Sequence, residues 1–185
     1  MTELDAYFAR IGYSGPRAPT LAVLRELHRL HPAAIPFEAI DCLLDRGIDI
    51  SPAAVDAKLI HGGRGGYCFE QNGLFRRVLE ALGFETVGLA ARVRWNAAPG
   101  APAQPRTHMV LRVKAEGREW LADVGFGGCV LTAPLAWEPE AAQATDHDTY
   151  RLTPIGEELR LEVEREAGWI PAYDISPVPC VPRDY

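Results

Sequence analysis

Apolar residues in the first 84 positions recur three and four residues apart, which is the spacing of one face of an α-helix. This period predicts five helices. Thr2 is the expected cap of the first, and Pro32 is expected to end the second just before it. The predicted segments are 2–12, 20–31, 37–47, 51–60 and, after a glycine-rich loop, a helix that begins near Cys68 and stops at Gly83.

The second half of the chain changes to short runs rich in β-forming residues, separated by turn signals. Proline-rich and alanine-rich stretches at 96–106 and 133–148 indicate connections, and the proline-rich end from residue 177 indicates a linker without a closing element. The predicted strands are 86–95, 107–113, 118–124, 150–153, 158–163 and 169–175.

This change of period predicts an α+β fold without internal repeats. We expect a helical bundle over residues 1–84, followed by an antiparallel β-barrel or sheet domain over residues 85–185. The boundary falls at 83–85, where Gly83 ends the last predicted helix.

Composition narrows the classes of function. Hydrophobic residues make up 48% and charged residues 24%, as in globular proteins, and the net charge of −6 argues against nucleic acid as the main partner. No apolar run is long enough for a membrane span, and the first residues do not resemble a signal peptide. None of the four cysteines forms a C-x-x-C pair, so we expect no metal site, free thiols and a cytoplasmic location.

One cysteine stands where a flexible loop meets a predicted helix, in HGGRGGYCFEQNG at 61–73. The unpaired N–H groups at a helix start favour a thiolate, so Cys68 is a candidate nucleophile. The alternative is a small apolar residue of the core. A phosphate-binding P-loop does not fit, because Tyr67 follows Gly66 where that motif requires lysine.

A nucleophilic cysteine needs a base and a group that orients the base. His108 opens a predicted strand, whereas His28 and His31 lie on the second predicted helix, where exposure is the simplest interpretation. Asp123 ends the neighbouring strand, so its side chain is expected beside His108. The alternatives are a core histidine and an aspartate that stabilises a turn.

Four segments together resemble the arylamine N-acetyltransferase family: IPFE at 35–38, RGGYCFEQN at 64–72, THMV at 107–110 and ADVGFG at 122–127. The resemblance implies a cysteine-protease-like core in which Cys68 accepts the acyl group, His108 is the base and Asp123 orients His108. It implies ping-pong transfer of acetyl from acetyl coenzyme A, the co-substrate, to an arylamine or arylhydrazine, without a metal.

Arg64 and Glu70 lie beside Cys68 in the sequence, and we expect these two charged residues to form an ion-paired clamp on the loop. The resemblance itself implies further site residues. The acceptor pocket is expected at Phe37, Val93 and Phe126, and the coenzyme A contacts at Trp95, Thr107 and Gly127.

Family members carry a third, C-terminal α/β lid, which the resemblance does not find in these 185 residues. A more open cleft admits water, so we expect weak transfer to amines and some hydrolysis of acetyl coenzyme A. Two alternatives remain at this point: a cysteine hydrolase or transglutaminase-type enzyme with the same order of Cys, His and Asp, and a binding module without catalysis.

Overall fold

The computed structural model describes residues 4–98, 100, 102 and 104–181, so the predicted cap Thr2 and residues 182–185 lie outside it. Helices occupy the first part of the described chain. They are α1 (Leu4–Ile11), α2 (Leu21–Ala34), α3 (Ile40–Leu43), α4 (Pro52–Val55), which continues into a π-helical turn (Asp56–His61), and α5 (Cys68–Ala81).

The strands form one antiparallel sheet in the order β4-β3-β2-β1-β8-β7-β6-β5. The Gln143 side chain links the two edges, because it accepts from the Ala136 N–H at 2.7 Å and donates to the Ala136 carbonyl at 2.9 Å. The predicted α+β fold, helices followed by a near-barrel, is confirmed. The strands are β1 (Glu85–Val93), β2 (His108–Ala115), β3 (Arg118–Ala122), β4 (Leu135–Ala136), β5 (Gln143–Ala144), β6 (Thr149–Ile155), β7 (Glu158–Arg165) and β8 (Gly168–Cys180).

Strand β2 lies between two apolar cores. Met109 and Leu111 pack with the helices, whereas Val110 belongs to the interior of the barrel, as the alternation of a strand requires. The helices therefore share their core with β2 and β3, and the division into domains 1–84 and 85–185 stays a prediction.

Two helix predictions were wrong. Helix α2 passes through Pro32, which lies in its last turn, where the Ile35 N–H still reaches the His31 carbonyl at 2.8 Å. Helix α3 is only four residues long, and its apolar side chains are exposed, Leu43 by 84%. Apolar spacing alone did not show that this segment lies on the surface.

The expected linker at the proline-rich end was wrong for the residues before 181. Strand β8 continues to Cys180 and pairs there with β1, with Pro179 opposite Leu89. The pairing of β8 with β7 ends at Ile175 opposite Leu159, so beyond it β8 has a free edge, where proline is tolerated. Strands β4 and β5, of two residues each, were not predicted because they are too short for a pattern.

Candidate active site

Cys68 is the first residue of α5 and is 7% exposed. Glu70 stabilises the helix start, since its carboxylate accepts the Tyr67 N–H at 3.0 Å. The Cys68 thiol lies 3.5 Å from the carbonyl oxygen of Thr107, so the beginning of β2 lies directly beside it. The sulfur is thus held at a helix N-terminus, where negative charge is favoured.

His108 connects the thiol to a buried carboxylate. Its Nε2 lies 2.7 Å from Asp123 Oδ2, which leaves Nδ1 for the hydrogen bond with Cys68. Burial lowers the pKa of His108, but the charge of Asp123 and the contacts with Asp123 and Cys68 outweigh it and raise the pKa to about 10. The ring therefore carries a proton at neutral pH, and the structure brings the three predicted residues together.

Asp123 is fully buried, and both of its oxygens are saturated with donors. Oδ2 accepts from His108 and from the Tyr173 hydroxyl at 2.8 Å, and Oδ1 accepts from Asn72 Nδ2 at 2.8 Å and from the Gly125 N–H at 2.9 Å. Although burial raises it, the pKa of Asp123 is held below its ordinary value by the charge of His108. The carboxylate stays ionised and fixed in orientation.

Sequence reasoning did not identify the residues that hold Asp123. Asn72 lies four positions after Cys68, one helical turn along α5, and this spacing places it on the same face of the helix as Cys68. Tyr173, on β8, carries no such signal. The expected exposure of His28 and His31 was wrong: both are fully buried, and His28 Nε2 accepts the Asp123 backbone N–H at 3.1 Å. Burial lowers the pKa of His28 to about 3, so the ring stays neutral and can accept this bond.

Aromatic rings surround the triad. The ring of Phe126 lies 5.1 Å from that of His108 and 6.5 Å from that of Trp95. Gly127 touches Phe37 so closely that a Cβ at this position would stand 2.6 Å from the Phe37 ring. Phe126 and Trp95 therefore lie near His108, Phe37 lies against Gly127, and the Thr107 carbonyl lies beside the Cys68 sulfur. Val93, also predicted for the pocket, packs against the barrel core.

The expected pairing of Arg64 with Glu70 was wrong. Arg64 pairs with Glu38 at 2.6 Å and Asp41 at 2.9 Å, whereas Glu70 pairs with Lys58 at 2.7 Å. Lys58 also contacts Asp41 at 2.9 Å, so the two pairs form one network. This network attaches the glycine loop and the start of α5 to the segment that carries Phe37.

Among the described residues, no group of three or more His, Cys, Asp or Glu side chains is placed to hold a metal ion. None of the helices in this part of the chain has the length and apolar character that crossing a membrane requires.

Gly125 gives a testable consequence of this close packing. A Cβ there would lie 2.9 Å from the Cys68 Cα, so Gly125→Ala must displace the Asp123 loop from α5. We expect acyl transfer to fall by about 100-fold, as for a displacement of about 1 Å in other active sites. The measurement is the rate of Cys68 acylation by p-nitrophenyl acetate.

Gly73→Ala is the matched control, because Gly73 lies on α5 like Cys68, and a Cβ there would meet no atom within 4 Å beyond the neighbouring backbone of the helix. This variant is expected to keep the normal rate. Equal rates in both variants would show that the contact of Gly125 with α5 does not position the triad.

A family model and a curated relative each match most of this chain. Residues 20–185 match a family model described as N-acetyltransferase. The arylamine N-acetyltransferase of Escherichia coli K12 is 45% identical over 170 residues, which cover 92% of this chain and 60% of the relative. The chain thus spans about 60% of the length of this curated relative.

Solved structures agree with these matches. The arylamine N-acetyltransferase of M. tuberculosis superposes with a TM-score of 0.95 at 43% identity, over 98% of this chain and 69% of that one. The Mycobacterium marinum enzyme in complex with CoA superposes with a TM-score of 0.95 at 42% identity, over 98% of this chain and 68% of that one.

Proposed function

This chain belongs to the arylamine N-acetyltransferase family, and we propose that it transfers an acetyl group from acetyl coenzyme A to the nitrogen of an arylamine or arylhydrazine. The observation that carries the proposal is the buried Cys68–His108–Asp123 arrangement at the start of α5. The roles assigned below to single residues are parts of this proposal.

In the first half of the reaction, the Cys68 thiolate attacks the carbonyl carbon of the thioester. A new carbon–sulfur bond forms, the bond to the coenzyme A sulfur breaks, and protonated His108 supplies the proton that this sulfur takes up. Asp123 keeps the imidazole in the orientation that this step needs. The product is an acetyl-enzyme on Cys68.

Acylation changes the proton affinity of His108. The charge of Cys68 and its hydrogen bond are among the causes that raise the pKa of His108, and the acetylated sulfur no longer provides them. The pKa of His108 therefore falls once Cys68 is acylated, which favours release of the proton with coenzyme A. The neutral ring is then able to act as a base.

In the second half, the amine nitrogen attacks the acetyl carbon of the acetyl-enzyme. His108 takes the proton from that nitrogen, the bond to Cys68 breaks, and the thiolate–imidazolium pair is restored. An aromatic amine is largely unprotonated at neutral pH, so its lone pair is available for this attack.

The aromatic rings near the triad support an arylamine or arylhydrazine as the acceptor. We assign Phe37 and Phe126 to the acceptor pocket, because flat apolar rings favour an aromatic ligand, and we add Val93 as an aliphatic side chain that packs against the same barrel core as Trp95. We assign Trp95, Thr107 and Gly127 to coenzyme A, since the Thr107 carbonyl lies 3.5 Å from the Cys68 sulfur and the Trp95 ring lies 6.5 Å from that of Phe126. The four free cysteines fit a reducing compartment, so we place the enzyme in the cytoplasm, with small molecules as its partners.

Intact-mass measurement tests the proposal. With acetyl coenzyme A alone, the protein is expected to gain the mass of one acetyl group, and adding 4-methoxyaniline is expected to remove it and to yield the N-acetyl product. A cysteine peptidase or a binding module would not become acetylated. An unchanged mass in the presence of acetyl coenzyme A would refute the proposed function.

A further inference from the structure

Phe37 is one wall of the proposed acceptor pocket, although its own surroundings hold it weakly. The residue is 47% exposed, and its ring rests against Gly127. A half-exposed ring gains little from packing, so the position of Phe37 depends on what fixes its backbone.

Gln71 fixes the backbone just before Phe37. Its Nε2 donates to the carbonyl oxygens of Ile35 at 3.1 Å and Pro36 at 3.0 Å. On the other side, the Glu38 N–H donates to the carbonyl of Gly66 at 3.0 Å. Gln71 lies three positions after Cys68 on α5, so one side chain connects the helix of the nucleophile to the wall of the pocket.

Two further buried residues determine the orientation of Gln71. His31 Nε2 lies 2.7 Å from Gln71 Oε1, and His31 Nδ1 lies 2.8 Å from the Tyr7 hydroxyl. Because both N–H groups of the amide serve carbonyls, Oε1 must accept, His31 must donate from Nε2, and Tyr7 must donate to Nδ1. Tyr7, His31 and Gln71 are fully buried.

The charge states agree with this assignment. Burial lowers the pKa of His31 to about 4 and raises the pKa of Tyr7 well above its ordinary value. Both side chains are therefore neutral at neutral pH. Every polar side-chain atom of Tyr7, His31 and Gln71 thus has a hydrogen-bond partner, Gln71 Nε2 has two, and only one direction of donation satisfies all of them.

We propose that Gln71, held by His31 and Tyr7, is a positioning residue that keeps Phe37 in place as the aromatic wall of the acceptor pocket. Gln71 thereby determines how strongly the acetyl-enzyme prefers an aromatic amine to a small nucleophile. This inference rests on the proposed function, because it concerns the second half of that reaction.

The test compares two acceptors with Gln71→Met, which keeps the length of the side chain and removes both donors. We expect kcat/KM for 4-methoxyaniline to fall by about tenfold, the size of one lost aromatic contact. With hydrazine, which has no ring, kcat/KM is expected to stay within about twofold of the wild-type value, as is acylation of Cys68 by acetyl coenzyme A.

Gln143→Met is the matched control, because Gln143 likewise uses both of its amide atoms in hydrogen bonds, but with the backbone of Ala136, where it joins β4 to β5. This variant is expected to lose stability and to keep the preference for the aromatic amine. Tyr7→Phe is a milder variant for the case that Gln71→Met does not fold, and it is expected to shift the preference in the same direction by about two- to threefold.

A double-mutant cycle shows whether Gln71 acts through Phe37. In a Phe37→Leu background, Gln71→Met is expected to change the ratio of the two kcat/KM values by less than about twofold, because the wall is already lost. If the wild type is acylated normally and folded Gln71→Met leaves the ratio of the two kcat/KM values unchanged, the inference is overturned. If Gln71→Met does not fold, an unchanged ratio in folded Tyr7→Phe overturns it. A wild type that takes up no acetyl group would instead refute the proposed function itself.

Discussion

Cys68→Ala is expected to abolish the acetyl-enzyme and to lower acetyl transfer by on the order of 10⁶-fold, as loss of the nucleophile does in other triad enzymes. Alanine removes the sulfur that lies at the start of α5 and beside His108, and no other described cysteine has such surroundings. The checks are intact mass after addition of acetyl coenzyme A and the rate of N-acetylation of 4-methoxyaniline.

Cys129→Ala provides the matched control. Cys129 and Cys68 are both 7% exposed, but burial raises the pKa of Cys129 to about 12, so its thiol stays protonated. The control is expected to take up acetyl like the wild type. If Cys68→Ala still became acetylated, the assignment of the nucleophile would be wrong.

Asp123→Asn has the second largest expected effect, a loss of about 10⁴-fold in acetyl transfer, as for the corresponding change in a serine protease triad. Asp123 accepts four hydrogen bonds, and an amide cannot accept on both of its ends. At least one donor loses its acceptor, and His108 loses the negative charge that keeps it protonated. The measurements are the rate of transfer and the titration of His108 by NMR.

The pH dependence follows from the raised pKa of His108. Because the pKa is about 10 in the folded protein and near its ordinary value of 6.5 in the unfolded chain, protonated His108 contributes stability. That contribution is complete below about pH 6.5 and is lost as the pH rises through about 10. Asp123→Asn removes the negative charge that opposes the effect of burial on His108, so the pKa of His108 falls. The loss of stability at alkaline pH is then smaller.

Asp174→Asn is the control that separates the effect of Asp123 on His108 from the general effect of removing a buried carboxylate. Asp174 is 1% exposed and pairs with Arg94 and Arg160 on the barrel. Its replacement is expected to lower stability without changing the titration of His108. An Asp123→Asn variant that keeps transfer within tenfold of the wild type would contradict the role assigned to Asp123.

The spacing of apolar residues, together with the glycines and prolines that separate the segments, was sufficient to predict most of the secondary structure. The apolar stripe from Leu74 to Leu82 and the stop at Gly83 correspond to α5, and the predicted strands lie within or close to β1, β2, β3, β6, β7 and β8. The failures have local reasons. Pro32 lies in the last turn of α2, where few backbone hydrogen bonds of the helix remain to be made. The apolar residues near Leu43 are exposed, which spacing alone does not reveal.

The triad could be proposed from the sequence because its residues occur in short motifs at the ends of elements. Their chain positions indicated a helix start for Cys68 and neighbouring strands for His108 and Asp123, and the structure has this arrangement. The partners of Asp123 could not be found in this way, since Tyr173 and His28 come from β8 and α2, distant in the chain.

The sequence by itself determined the order of most elements and the α+β class, because these depend on local spacing. Its four segments that resemble the arylamine N-acetyltransferase family also indicated the three residues proposed for catalysis. Only the tertiary structure decided which partners hold those residues: Asn72, Tyr173 and His28 around Asp123, Lys58 rather than Arg64 on Glu70, and Gln71 beneath the backbone before Phe37. The physical reason is that a buried polar group needs a partner, and packing of distant segments determines which one lies within reach.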